Sequence, residues 1–178
     1  TIRARALYQD ANMAEETDNL ERLKLSAEAS LALCENTAHQ RDLAIARFYV
    51  AEACFRHASE MTQTVYLLEQ SLRDFRALKN LYWEAIAQRL LSITQAIMGN
   101  KRLSESNARD LELARKAGQR SLIAWILCDQ AMSAIIDNKL DEADGCLKES
   151  EMLYNQLGGY KGMILFNKGN IAFGRNDI

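Results

Sequence analysis

The chain has 178 residues, 22 Lys and Arg against 24 Asp and Glu, and no proline. A formal charge of -2 excludes the basic excess of a nucleic-acid or anionic-membrane binder, and 48% hydrophobic residues exclude a disordered chain. The length suits one domain or a short repeat array that buries about 70% of its unfolded surface.

No apolar run approaches the roughly 18 residues of a membrane span, and no signal peptide opens the chain. Cys34, Cys54, Cys128 and Cys146 are spaced 20, 74 and 18 apart, so neither a zinc knuckle nor a C-x-x-C redox pair is available. Sparse cysteines in a chain of this size read as buried thiols of a reducing cytoplasm.

All eight glycines lie at or after position 99, so strong helix breakers are absent from the first 98 residues. Apolar residues recur at helical spacing: Leu20, Leu23, Ala27, Leu31 and Cys34 make one stripe, and Leu67, Leu68, Ser71, Phe75 and Leu78 another. No segment alternates with period two. The chain reads as all-α, with helices over 2–14, 18–35, 39–57, 61–78, 81–98, 103–117, 120–136, 140–157 and 160–174. Breaks fall at Ala58-Ser59-Glu60, Gly99-Asn100-Lys101, Asp137-Asn138-Lys139 and Arg175-Asn176-Asp177, and Gly118 and Gly158-Gly159 sit as C-terminal caps.

A repeat runs through these helices. A small or polar residue, a leucine four on and a small residue three later recur as Ala27/Leu31/Cys34, Thr64/Leu68/Ser71, Asn107/Leu111/Ala114 and Ala143/Leu147/Ser150. The copies are 37, 43 and 36 residues apart. Small residues at i and i+7 admit a neighbouring helix closely while the leucine fills the gap. Four antiparallel pairs plus one unpaired helix follow, in a single domain over 1–178.

Asn138-Lys139-Leu140-Asp141-Glu142-Ala143, with Leu147 and Ser150, resembles the second half of a tetratricopeptide repeat, and Phe166-Asn167-Lys168-Gly169-Asn170-Ile171-Ala172 the first half of another. The units are longer than the family's roughly 34 residues and lack its proline, while residues 1–36 match poorly. Longer, proline-poor units resemble the sensory regions of GGDEF diguanylate cyclases and the repeat domains of MalT-like transcription activators. The resemblance implies a right-handed superhelix of helix pairs, with small residues at the pair crossings (Ala51, Thr94, Ala131, Gly169). It implies groove positions at Glu52, Gln95, Met132 and Asn170, at Phe48, Leu91, Cys128 and Phe166, and at Ile45, Gln88, Trp125 and Met163. An apolar groove of this kind suits an amphipathic helix laid along it. It lacks the Lys/Arg/Asn clamp that chaperone-binding repeat proteins use for a C-terminal carboxylate. Trp83 and Tyr82 are expected to pack on the preceding unit.

Catalytic signals are sparse. His57 lies three residues from Cys54 on one helix, but two further ligands at metal-site spacing are missing, as are an orienting group and an oxyanion hole for a Cys-His nucleophile. Gly158-Gly159-Tyr160-Lys161-Gly162 has no Walker pattern and reads as a turn, and Glu15-Glu16 and Asp141-Glu142 read as capping charges. We therefore expect no enzyme, cofactor or metal. The expected role is a protein- or peptide-binding scaffold, the regulatory input segment of a bacterial signalling protein, with its own output domain among the candidate partners. A self-associating scaffold with a homodimeric partner, and a small-ligand sensor around Trp125 and Met132, stay open as alternatives. Thr1 in place of methionine, and the stripe Met163, Ile164, Phe166, Ile171 and Phe173, lead us to expect a piece of a longer chain.

Overall fold

Short turns of one repeated design set the helix boundaries. The computed structural model describes the chain except residues 1, 36, 38, 59, 101, 102, 159–161 and 176–178, and the side chains of 103–105. Among the described residues it holds nine helices: α1 Ile2–Glu16, α2 Leu20–Cys34, α3 Gln40–Arg56, α4 Met61–Ala77, α5 Leu81–Ile97, α6 Leu103–Lys116, α7 Arg120–Ile136, α8 Leu140–Leu157 and α9 Gly162–Arg175. No strand occurs among the described residues. The expected breaks at Ser59, Lys101 and Asn176-Asp177, and Gly159 to Lys161 of the glycine-rich run, lie outside the described residues.

Four of the connections, 17–19, 78–80, 117–119 and 137–139, are three residues long. In each the middle residue takes left-handed backbone: Asp18 at φ 53°, Lys79 at 52°, Gly118 at 68° and Asn138 at 57°. The amide of the third residue then reaches back to a helix carbonyl, as in Asn80 N–H to Phe75 O at 2.9 Å and Lys139 N–H to Ala134 O at 2.8 Å. Helix-end carbonyls that would otherwise be orphaned are thereby satisfied. Asn19 and Asn80 also cap the next helix, their side chains accepting from the amides of Arg22 and Trp83.

The chain divides into two compact units, Thr1–Met98 and Gly99–Ile178. In the first, α1 pairs with α2, α3 with α4, and α3 also packs against α1, α2 and α5. In the second, α7 packs against α6 and α8, and α9 against both α7 and α8.

The repeated leucine motif falls at the helix contacts. Thr64, Leu68 and Ser71 are buried, as are Asn107, Leu111 and Ala114, and Ala143, Leu147 and Ser150. Two of the terminal small residues tie the pair together: Ser71 Oγ donates to Ala44 O at 3.0 Å, and Ser150 Oγ to Ala124 O at 2.9 Å. The first copy lies one turn from its sequence register. The hydroxyl that matches these two is Ser30, donating to Ala4 O at 2.9 Å, so the counterpart of Thr64/Leu68/Ser71 is Leu23/Ala27/Ser30. Cys34, which the spacing gave as the small residue of this copy, is buried beside Ala4 and Ala46.

Of the small crossing residues, Ala51, Thr94 and Ala131 are fully buried. Gly169 departs from them: it is exposed, and a Cβ built there would meet nothing within 4 Å.

Candidate binding face

In the first unit, the sequence-derived groove positions are filled by packing. Ile45, Phe48, Glu52, Gln88 and Leu91 are all buried, and Gln95 is half-buried. The reason is the position of α3, which has α1, α2, α4 and α5 around it and buries residues on every side. Phe48 packs edge-on against Tyr49 and Trp83, both with ring centroids 5.4 Å away. Trp83 stacks on Phe75 of α4 at 5.8 Å, which seats it on the preceding helix pair.

Two carboxylates of α3, Asp42 and Glu52, are buried with partners, as burial of an ion demands. Arg5 Nε donates to both Asp42 oxygens, at 3.1 and 3.0 Å. Arg56 reaches Glu52 at 2.8 Å, Glu15 at 3.4 Å and Asp18 at 3.4 Å. Burial, and then the neighbouring Glu52 carboxylate, push the Glu15 carboxyl above its ordinary value. Burial and Glu15 likewise raise the Tyr49 phenol, which stays protonated and donates to Asn12 Oδ1 at 2.8 Å. This network joins α1 to α3, and in it the one guanidinium of Arg56 faces the three carboxylates of Glu52, Glu15 and Asp18.

The second unit presents the equivalent register differently. Trp125 on α7, and Met163 and Phe166 on α9, are exposed; Met132 and Asn170 are half-buried; Cys128 alone of the set is fully buried. On α9, Met163, Phe166 and Asn170 fall at i, i+3 and i+7, one stripe of the helix, and α7 is its packed neighbour. Trp125 and Met132, seven apart on α7, share a stripe in the same way. Beneath them Asn167, fully buried, donates from Nδ2 to Cys128 O at 3.3 Å and so orients α9 on α7.

A cavity of about 180 Å³ lies elsewhere in this unit, lined by Asn107, Gln130, Ser133, Asp137, Lys139 and Glu142. It is polar, and neither Trp125 nor Met132 lines it. Its size suits a small polar molecule and falls below the usual range of cofactor pockets. Sequence spacing gave no sign of it, because its walls come from three helices and a turn.

Among the described residues no group of three or more His, Cys, Asp or Glu is placed to hold a metal. The Cys54 thiol, near His57 in sequence, donates to Glu60 Oε2 at 3.7 Å, and burial and the Glu60 carboxylate raise it. Burial and the carboxylates of Glu142 and Glu149 raise the Cys146 thiol, which disfavours a nucleophilic thiolate there. No helix of the described residues is long and apolar enough to cross a membrane. Comparison with known proteins returns no matching family model and no matching curated protein.

Proposed function

We propose that the chain is a protein-interaction module that holds a peptide or protein segment against the α7/α9 face. One observation carries the reading: Trp125, Met163 and Phe166 are exposed on two neighbouring helices, where the equivalent Ile45, Phe48, Gln88 and Leu91 are buried. Exposed aromatic and methionine side chains with a few amides beside them match the anchors of a helix-in-groove site. The tetratricopeptide-type superhelix belongs to the same proposal, supported by the recurring helix pairs and the serine ties between them. So does the role of regulatory input segment in a bacterial signalling protein, for which the resemblance of the longer, proline-poor units is the support.

The test is selection from a peptide library against the whole chain, followed by titration of the selected peptides. Trp125→Ala with Asn170→Ala should weaken them at least tenfold with the thermal melt unchanged. Undiminished affinity of the double variant for every selected peptide would place binding elsewhere.

A further inference from the structure

Helix α9 is apolar on two sides, and among the described residues only one of them is covered. Ile164, Asn167 and Ile171 are buried, against α7 and α8. Round the helix, Leu165, Phe166 and Phe173 are 65%, 61% and 71% exposed, and Met163 at the edge is 45% exposed. Leu165, Gly169 and Phe173 recur every four residues, so the glycine lies in the middle of this outer stripe. The counterpart of Gly169 on α7 is Ala131, which is fully buried.

We propose that the outer face of α9 pairs with the α9 of a second copy of this chain, the two helices crossing at Gly169. Three observations select a second copy. The first is space: nothing lies within 4 Å of a Cβ at Gly169, so a partner backbone can approach there. The second is charge. The charged side chains of α9 are Lys168 and Arg175, and both are answered on α8, by Glu151 at 2.8 Å and Asp141 at 2.6 Å. A two-fold pair sets each residue against its own kind, and this face brings no unanswered like charge to the seam.

The third is area. At about 200 Å² per large side chain, the exposed fractions leave about 480 Å² of apolar surface on each copy. Two copies bring about 970 Å², close to the roughly 1,000 Å² at which specific interfaces begin. An interface of this size belongs to the small, transient class, and the pair is accordingly weak. The pairing face shares Met163 and Phe166 with the proposed peptide site, while Leu165, Gly169 and Phe173 belong to the pairing face alone, so a second copy and a bound peptide compete.

Sedimentation equilibrium on the whole chain, from about 5 to about 300 µM, tests it. The mass should climb from the 20.1 kDa of one chain towards twice that. Leu165→Glu should hold it at one chain across the range. Gly169→Leu is the sharper variant: it suits the free helix and so leaves or raises the melting temperature, yet it wedges the crossing open and abolishes the dimer. A wild-type chain that stays monomeric throughout, or a dimer that survives both substitutions, overturns the proposal. Selected-peptide affinity measured on Gly169→Leu separates the two readings, since loss of the dimer with peptide binding retained leaves the peptide site standing.

Discussion

Replacing Ser150 with alanine removes one hydroxyl from the contact between α7 and α8 and leaves the Leu147 packing in place. That hydroxyl is fully buried, donates to Ala124 O at 2.9 Å and lies 3.3 Å from Cys128 Sγ. A neutral intramolecular hydrogen bond contributes about 1 kcal/mol net. Ala124 O sits inside a helix and keeps its intrahelical partner, so the larger penalty of an orphaned group does not apply. Against this, alanine is the better helix former by up to about 0.5 kcal/mol. The observed loss should therefore be about 0.5–1 kcal/mol. Ser71→Ala, cutting the 3.0 Å bond to Ala44 O, and Ser30→Ala, cutting the 2.9 Å bond to Ala4 O, should cost the same. Ser121→Ala, at an exposed serine of α7, reads the propensity gain alone. Urea unfolding followed by circular dichroism gives the midpoints, with the slope held constant. Ser30 and Ser71 share no partner, so their double variant should lose the sum. If the three buried serines behave like Ser121, the hydroxyls are passengers in the packing and the register built on Ser30 fails.

Two further expectations follow from the turns and the charges. Lys79→Gly should stabilise the chain by about 1 kcal/mol, since glycine takes the 52° φ of this turn without the Cβ penalty. Asn138→Gly should gain less, because asparagine already tolerates that region, and thermal melts of the pair would expose any reversal of the order. Glu15→Gln should raise stability at pH 7, because a carboxyl lifted above its ordinary 4.5 favours the folded state only while protonated. The stability it contributes is lost as pH rises from 4.5 through the folded value, so below 4.5 the variant's advantage should vanish. Facing groups are Glu52, Glu16 and Arg56; the two carboxylates act with burial, and the guanidinium acts against it. Urea midpoints at pH 7 and pH 4 check the sign, and a variant less stable at pH 7 would mean that the Arg56 pair outweighs burial.

Helix positions were legible in the sequence because their signals are local. Stripes at 3.6-residue spacing and turn residues such as Gly118 and Asn138 place each helix end within two residues of its expected position. The left-handed Lys79 carried no such signal, since lysine has no preference for that backbone; the turn is imposed by the helices it joins. The tie register of the first pair was illegible for a related reason. Ser30 and Cys34 are one turn apart on one face, and only the identity of the acceptor, Ala4 O, separates them.

The groove positions show where spacing stops being informative. Phe48 and Phe166 occupy equivalent places in the repeat spacing, each an aromatic, yet one is 4% and the other 61% exposed. Nothing in their immediate sequence accounts for this. What differs is the number of helices packed round each: α3 has four neighbours in its unit, and α9 packs against α7 and α8. An aromatic at this place therefore becomes core where the array closes over it and surface where it does not. The same logic applies to Ala131 and Gly169, one buried and the other open to a partner's backbone. On the proposed reading, binding is set by where stacking leaves a register uncovered, which is why Trp125, Phe166 and Leu165, rather than Phe48 and Glu52, are the side chains to substitute first.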